Sequence, residues 1–462
     1  MKNVAIIGAG ITGLSAAYYL RKAQEDINID VYEQSNRPGG KIKTYQKDGY
    51  TIELGPESYL GRKTIMTELA TEIGLKDELV VNNTGKSYIY AKNKLYPIPG
   101  GSILGIPTEV KPFVSTKLIS PIGKLRAGLD YVKRPQKMYT DISVGAFFRH
   151  RLGNEVLENL IEPLLSGIYG ANIDELSLNS TFPEFKLQEE KHGSLIKGMR
   201  YTKKLRPKPS QSTPSKPLGQ FRQFKNGLEG FIKTLEQHLV QQNVKMHYNH
   251  EVTAIQKNEQ GYLITVNGTT KQYDHVIITV PHTVFRNWFD DVEMSYFKYM
   301  KATSVATVVM AFDASQVDNS EDGTGFVIAK NSDTVITACT WTDKKWSHAA
   351  PKGKTLLRAY VGRPGDDVIK THTEDEIVQL ARRDLDKMMH ITGEPEFTIV
   401  TKLPNSMPQY EVGHKARIDA IKSFIQQKYP NLIITGASFD AIGLPDCITQ
   451  GKQAAEQIAN IK

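Results

Sequence analysis

The pattern of apolar and polar positions predicts a chain that opens with a strand, a helix and a second strand. Residues Val4 to Ile7 form a continuous apolar run of strand length, and apolar residues from Leu14 to Arg21 recur at helical spacing. A second strand is predicted over Ile27 to Tyr32. The letters GAGITG stand between the first strand and the helix. This order of strand, glycine-rich turn and helix predicts a Rossmann-type nucleotide-binding unit.

Each glycine of this turn has a distinct physical task. Gly8 lets the chain turn sharply, Gly10 lets backbone N–H groups approach a pyrophosphate, and Gly13 lets the helix pack closely on the strand. The helix N-terminus then stabilises the phosphate charge. Glu33 follows the second strand, where a carboxylate accepts hydrogen bonds from a ribose hydroxyl pair. These residues predict a dinucleotide site, and the acid disfavours a 2'-phosphate.

Two further glycine-rich segments favour FAD over NAD. Arg37 to Lys41 reads RPGGK and offers a second backbone approach to the pyrophosphate, while Gly55 to Ser58 brings main chain against the flavin ring edge. At the other end, a strand from Leu432 to Thr435, a glycine turn and a helix to Ile461 are expected to return to the first sheet. The predicted cofactor-binding residues are Gly8, Ala9, Gly10, Ile11, Thr12, Gly13, Glu33, Gln34, Gly40, Lys41, Gly55, Pro56, Glu57, Ser58, Ile442, Gly443 and Leu444.

The rest of the pattern predicts an α/β and α+β chain of three domains. The FAD-binding domain is discontinuous and is expected over residues 1–75, 221–290 and 405–462. A mixed-sheet substrate-binding domain is inserted over 76–115 and 291–404. A mostly helical domain covers 116–220 and ends in a Pro-, Ser- and Lys-rich segment, 205–220, which is interpreted as a flexible loop.

Several motifs resemble a known family. GAGITG, the RPGGK loop, GPES and the closing GASFDAIGLPDCI are similar to the flavin amine-oxidase superfamily. The run ENLIEPLLSGIYG at 158–170, the MPQY at Met407 to Tyr410 and the Gly413–His414 pair resemble the porphyrinogen oxidases of that superfamily. Within these, the chain looks most like the coproporphyrinogen III oxidases of Gram-positive bacteria. The resemblance covers essentially the whole chain.

The resemblance implies oxidation of coproporphyrinogen III to coproporphyrin III in haem biosynthesis, with oxygen as the acceptor and hydrogen peroxide as the product. It also implies that the main chain at Val252 meets the adenine side of FAD. One position departs from the family, because relatives often carry Trp before MPQY whereas Leu403 follows Lys402 in this chain. An aromatic contact to the flavin from this position is therefore in doubt.

The substrate of such an enzyme is a flat macrocycle with four propionates, so its site should offer cations in an apolar cavity. Arg62, Lys63 and Lys86 are the predicted substrate-binding residues. No catalytic side chain and no metal site is expected, since the flavin carries the hydride chemistry. His414 is a conceivable proton acceptor, but a histidine beside a glycine turn is more often structural.

Composition adds little to this picture. The net charge of +8 favours anionic ligands or surfaces, and two cysteines without CxxC spacing speak against a disulfide framework. We expect a cytoplasmic protein, with possible peripheral membrane contact and transient contact with other haem-pathway enzymes, and no nucleic-acid partner. The open alternatives are a protoporphyrinogen IX oxidase, another flavin amine or carotenoid oxidoreductase, and a binding protein without catalysis.

Overall fold

The chain divides into two compact units, each assembled from separate stretches of sequence. The computed structural model describes residues 2–135, 140–205 and 219–460. The first unit comprises Met1–Val81, Gln220–Lys301 and Lys415–Lys462, and the second comprises Asn82–Gly219 and Ala302–His414. The predicted division of the second unit into a substrate-binding and a helical domain stays a prediction. Most of the predicted flexible loop, residues 206–218, lies outside the described residues.

A five-stranded parallel sheet forms the centre of the first unit. Its strands are, in spatial order, Lys245–His247, Ile27–Tyr32, Lys2–Ile7, His275–Ile278 and Leu432–Ile434. Residues 4–7 are all buried, as expected where helices cover both faces of a parallel sheet. The predicted opening and second strands are confirmed, and the closing strand ends one residue before the predicted Thr435.

The first unit also contains several α-helices, and the first of them contacts the strands Lys2–Ile7 and Ile27–Tyr32 of this sheet. The helices are Ile11–Ala23, Ile65–Glu72, Gly227–Gln241, His282–Phe285, Tyr296–Tyr299, His414–Lys428, which begins at the unit boundary, and Leu444–Ala459. The first helix begins three residues before the predicted Leu14, because Gly10 is extended (φ −70°, ψ 175°) and acts as its N-cap. The smaller sheets of the unit contain Thr44–Lys47 and Tyr50–Glu53; Tyr59–Leu60, Phe221–Phe224 and Leu79–Val81; and Val252–Asn258, Gly261–Val266 and Thr269–Tyr273.

A seven-stranded sheet dominates the second unit. Its strands, in spatial order, are Phe397–Pro408, Ala302–Asp313, Lys354–Val361, Ile336–Trp341, Gly325–Ile328, Tyr88–Ala91 and Lys94–Pro97. All neighbours are antiparallel except Gly325–Ile328 and Tyr88–Ala91. The mixed α/β and α+β fold class is thereby confirmed. Two-stranded ribbons pair Ser102–Ile103 with Ile106–Pro107, and Val317–Asp318 with His390–Ile391.

The stretch from Ser87 to Ile98 contains a hairpin of the strands Tyr88–Ala91 and Lys94–Pro97. Lys92 and Asn93 at its tip have φ of 51° and 59°, and two successive residues in this region reverse a chain tightly. The described helices of the second unit are Val110–Ser115, Pro121–Gly128, Val144–Leu152, Asn154–Val156, Glu162–Tyr169, Leu178–Thr181, Pro183–His192, Leu195–Leu205, Thr342–Lys345, Val368–Thr371 and Glu374–Asp386. Among the described residues, every helix is too short or too polar to cross a membrane.

Candidate functional site: a main-chain cradle in the first unit

The first glycine turn has the geometry that its sequence predicts. Gly8 has φ +103° and donates its N–H to the Tyr32 carbonyl at 2.8 Å. A Cβ on Gly13 would lie 1.9 Å from the Gly8 carbonyl oxygen, so the helix and the turn touch through bare backbone. A Cβ on Gly10 would meet no protein atom within 4 Å. The fold itself therefore requires Gly8 and Gly13, whereas Gly10 faces open space that suits a ligand.

Glu33 is held at the end of the second strand by two sets of donors. Its Oε2 accepts the Ala9 N–H at 3.0 Å, and its Oε1 accepts the N–H and the hydroxyl of Ser35 at 2.9 and 2.8 Å. An ionised carboxylate has about four acceptor positions. The fixed carboxylate thus keeps capacity for a further hydroxyl donor beside the glycine turn.

The RPGGK loop lies directly against the first turn. Gly39 donates its N–H to the Ala9 carbonyl at 2.8 Å, and a Cβ on Gly40 would stand 3.7 Å from the Gly10 Cα. Arg37 braces this loop by donating to the carbonyls of Pro38, Ile42 and Gly40 at 2.8–2.9 Å. Sequence reasoning treated Arg37 only as part of the motif and missed this bracing role.

Lys41 is the last residue of the RPGGK loop. The residue is exposed to solvent, yet desolvation by the surrounding protein lowers the pKa of its ammonium group. Both observations hold together for a side chain that faces an enclosed opening, because accessibility needs only a gap whereas desolvation reflects all the atoms around the group. A Cβ on Gly55 would lie 1.8 Å from the Lys41 carbonyl oxygen, so the GPES turn packs against the same residue.

The closing segment packs against the first turn. We call the main chain of residues 8–13, 37–41, 55–58 and 436–443 the glycine cradle. Gly436 has φ +113°, and its N–H donates to the Gln450 side chain at 3.1 Å. The last helix begins after Gly443, which is its N-cap. Because glycine has no side chain, no side chain at this position accepts a hydrogen bond from the first N–H groups of the helix. A Cβ on Gly451 would lie 2.4 Å from the Thr12 carbonyl oxygen. Two helix N-termini, each with a glycine cap, therefore belong to one unit and favour negative charge.

All the predicted cofactor-binding residues belong to this first unit. Ile11, Thr12 and Val252 are buried, and Gln34 is exposed. Gln223 donates its amide to the Glu57 carbonyl at 2.8 Å, which ties the GPES turn to the strand Phe221–Phe224. The arrangement suits a ligand with a diphosphate and a ribose, and the role of each residue stays a prediction.

The three predicted substrate cations are divided between the units. Lys63 belongs to the first unit, where its ammonium contacts both carboxylate oxygens of Asp446 at 2.6 Å. Arg62 is its exposed neighbour. Lys86 belongs to the second unit and forms an exposed pair with Asp322 at 2.8 Å. Sequence reasoning missed Asp446, since nothing local signals a partner 383 residues away.

The motifs that carried the porphyrinogen-oxidase resemblance come together in the second unit. The rings of Tyr410 and His414 stack with centroids 4.3 Å apart, and Tyr169 lies 5.8 Å from Tyr410. Gln409 donates its side-chain amide to the Tyr169 carbonyl at 3.2 Å. His414 is buried at 1% exposure. These contacts favour the structural interpretation of His414 over a role as proton acceptor.

Comparison with known proteins shows the family to which the chain belongs. Residues 11–459 match the model of the flavin containing amine oxidoreductases. The chain therefore belongs to that family, and a flavin is the cofactor that the family implies. It is 62% identical over 460 residues to the coproporphyrinogen III oxidase of Staphylococcus aureus (strain NCTC 8325 / PS 47), covering 99% of each chain.

Two further relatives extend the similarity. The coproporphyrinogen III oxidase of Bacillus subtilis (strain 168) is 48% identical over 460 residues, which cover 98% of this chain and 97% of that protein. A crystal structure from Exiguobacterium sp. 255-15 has a TM-score of 0.89 at 37% identity and covers 100% of this chain and 99% of its own. The predicted family and its full-length coverage are confirmed.

Proposed function

We propose that this protein oxidises coproporphyrinogen III to coproporphyrin III in haem biosynthesis, with FAD as cofactor and molecular oxygen as acceptor, giving hydrogen peroxide. The observation that carries the proposal is the full-length similarity to coproporphyrinogen III oxidases at 62% identity. The reaction needs a flavin and a site for an anionic macrocycle, and it needs no metal from the protein.

FAD, rather than a flavin mononucleotide, suits the first unit. Two glycine-capped helix N-termini favour a diphosphate, and the fixed carboxylate of Glu33 can accept from a ribose hydroxyl. The open side of Gly10 gives main chain room to approach the pyrophosphate. A bound flavin would supply the hydride acceptor for this reaction. The protein's own part is to bind the dinucleotide, to fix its position and to orient the substrate.

Cations are proposed to recognise the substrate's propionates. Lys63 and Arg62 supply positive charge in the first unit, and Lys86 supplies it in the second. Lys63 is the strongest candidate, because it is partly buried and its direction is fixed by Asp446. A protoporphyrinogen IX oxidase stays the alternative, since the two substrates differ only where propionate replaces vinyl.

Aerobic turnover tests the proposal. The purified yellow protein is mixed with anaerobically prepared coproporphyrinogen III or protoporphyrinogen IX, and porphyrin fluorescence and peroxide are followed together; extracted flavin is identified by chromatography. Faster formation of coproporphyrin with one equivalent of peroxide per hydride removed supports the proposal. Faster turnover of protoporphyrinogen would reassign the substrate, and flavin-bound protein that oxidises neither would overturn the porphyrinogen assignment.

A peripheral contact with an anionic membrane is a further part of the proposal. The segment 110–132 of the second unit carries exposed large apolar side chains: Val110, Val114, Ile122, Leu125, Leu129 and Val132, each at least 46% exposed. Ile122, Leu125 and Leu129 recur at helical spacing, and Lys111, Lys117 and Arg134 are exposed around them. An exposed apolar stripe with a basic border is typical of interfacial membrane binding.

Vesicle flotation tests this contact. We expect the protein to float with vesicles that contain phosphatidylglycerol, and Ile122→Glu with Leu125→Glu to abolish flotation while turnover in detergent-free buffer is unchanged. Equal flotation of the wild type and the double variant would contradict the proposal.

A further inference from the structure

The pair of Lys63 and Asp446 has more structure than a surface ion pair. The ammonium contacts both carboxylate oxygens at 2.6 Å, and the two side chains are 41% and 28% exposed. An ammonium has three donor hydrogens, and two of them are directed at Asp446. Lys63 is therefore a partly shielded cation whose charge is already balanced before any substrate carboxylate arrives.

The carboxylate is seated by the start of the last helix. Asp446 is the third residue of Leu444–Ala459, where a negative charge is stabilised by the helix N-terminus. A Cβ on Gly443 would lie 2.6 Å from the Asp446 Oδ2, so the glycine cap leaves the room that the carboxylate takes. The main chain of Lys63 is fixed as well, since its backbone N–H donates to the Leu60 carbonyl at 3.0 Å.

This pair lies at the edge of two segments of the glycine cradle. Asp446 lies two residues after Leu444, and Lys63 lies five residues after Ser58. Leu444 and Ser58 are both predicted cofactor-binding residues, so the pair joins two segments of the proposed flavin site.

We propose that Asp446 competes with a substrate carboxylate for Lys63, and so sets how strongly Lys63 discriminates a propionate from an uncharged substituent. This inference rests on the proposed function. A propionate must replace or share the contact with Asp446, whereas a vinyl group leaves the pair intact. Asp446 accordingly makes Lys63 a weaker discriminator than a bare lysine, which would be left unpaired beside a vinyl group.

Three variants test this competition, and the two single substitutions should change the substrate preference in opposite directions. Asp446→Asn should lower the KM for coproporphyrinogen III and raise its kcat/KM relative to protoporphyrinogen IX by about fivefold, because the lysine charge is then opposed by a neutral amide. Lys63→Met should lower that ratio by at least as much, since it leaves the Asp446 carboxylate facing the substrate. Lys63→Met with Asp446→Asn should recover part of the loss for coproporphyrinogen.

Product binding supplies a readout that does not depend on turnover. Quenching of coproporphyrin III and protoporphyrin IX fluorescence gives Kd values for the flavin-loaded protein, and Asp446→Asn should tighten coproporphyrin binding by about the same factor. The matched control is Asp419→Asn, which removes another two-oxygen contact with a lysine in the same unit, Lys415 at 3.1–3.2 Å. This control should leave both Kd values unchanged.

The outcomes separate the inference from the proposed function. If the wild type oxidises neither porphyrinogen, the proposed function fails. If it does oxidise them and Asp446→Asn leaves the substrate ratio and both Kd values unchanged, or if the double variant is worse than Lys63→Met alone, competition at Lys63 is wrong. Loss of bound flavin in Asp446→Asn, with equal losses for both substrates, would make Asp446 a structural residue instead and would overturn the inference.

Discussion

The two units hold their chemistry in different ways. In the first, the candidate site is built mainly from backbone: Gly8 and Gly436 have positive φ, Gly10 faces open space, and Gly13 touches the turn through bare main chain. In the second, the residues of the specific motifs are buried side chains, with Tyr410 stacked on His414 and in tilted contact with Tyr169. The first unit depends on what glycine lacks, and the second on what side chains supply.

This difference determines how each unit should respond to substitution. A single added methyl group is strongly destabilising where backbone atoms touch, because neither partner can rotate away. A buried side chain in the second unit can often be replaced by one of similar shape at modest cost. Substitutions in each unit therefore test this difference.

The largest effect is expected at Gly13. Gly13→Ala places a Cβ 1.9 Å from the Gly8 carbonyl oxygen, so the turn or the helix must shift; we expect a loss of about 4 kcal/mol or more in the stability of the first unit, together with loss of bound flavin. Hydrogen exchange followed by mass spectrometry measures the first and second units separately. Peptides of the second unit should change little.

Gly10→Ala is the matched control. Its Cβ meets no protein atom within 4 Å, so the flavin-free protein should keep its stability, while flavin affinity falls because the methyl group occupies the side from which the pyrophosphate approaches. If both variants destabilise the flavin-free protein equally, the distinction between a fold glycine and a ligand glycine is wrong.

The contrast also explains which features could be predicted from sequence. The opening strand, the glycine turn and Glu33 follow one another within 33 residues, so their periodicity and spacing specify both structure and a binding hypothesis. The closing strand was predicted to within one residue for the same reason. Short-range patterns suffice where backbone geometry carries the function.

Long-range partners could not be predicted in this way. The contact of Lys63 with Asp446 depends on how two distant segments meet, and a single sequence carries no signal for it. The hairpin tip at Lys92 and Asn93 lacks the usual Asn-Gly or Asp-Gly pair, so no short-range signal in the sequence marks this turn. A π-helical turn over Leu157–Ile161 was also not predicted, because it interrupts a run of ordinary helical pattern.

His282 is a buried side chain of the first unit, and its protonation tests whether side chains as well as backbone contacts determine the stability of this unit. Its Nδ1 lies 2.9 Å from the Ser438 hydroxyl and its Nε2 lies 3.1 Å from the Met300 carbonyl, and burial lowers its pKa from 6.5 to about 4. The stability that neutral His282 contributes is complete above pH 6.5 and is lost as the pH falls towards 4. We expect this loss to reach about 3 kcal/mol.

The measurement compares urea unfolding of the wild type and His282→Gln between pH 7.5 and about 4. The wild type should lose more stability than the variant over this window, and the difference should appear in the first unit, which contains Trp288. Parallel pH profiles for the two proteins would show that the protonation of His282 is not linked to folding, and the first unit would then depend on its backbone more completely than proposed.

The smallest effect is expected from a buried charge of the second unit. Glu162 has 8% side-chain exposure and pairs with Lys330 at 3.2 Å, yet desolvation outweighs this attraction and raises its pKa above 4.5. As the pH rises through 4.5, the unfolded chain releases the proton first, so ionised Glu162 opposes folding at neutral pH. Glu162→Gln should therefore stabilise the second unit by about 1 kcal/mol at pH 7, with no gain near pH 4.

A Trp288→Phe background leaves Trp341 and Trp346 to report unfolding of this unit, and Lys330→Met should cost stability only while Glu162 is present. If Glu162→Gln destabilises at pH 7, the ion pair with Lys330 contributes more stability than the desolvation of Glu162 costs.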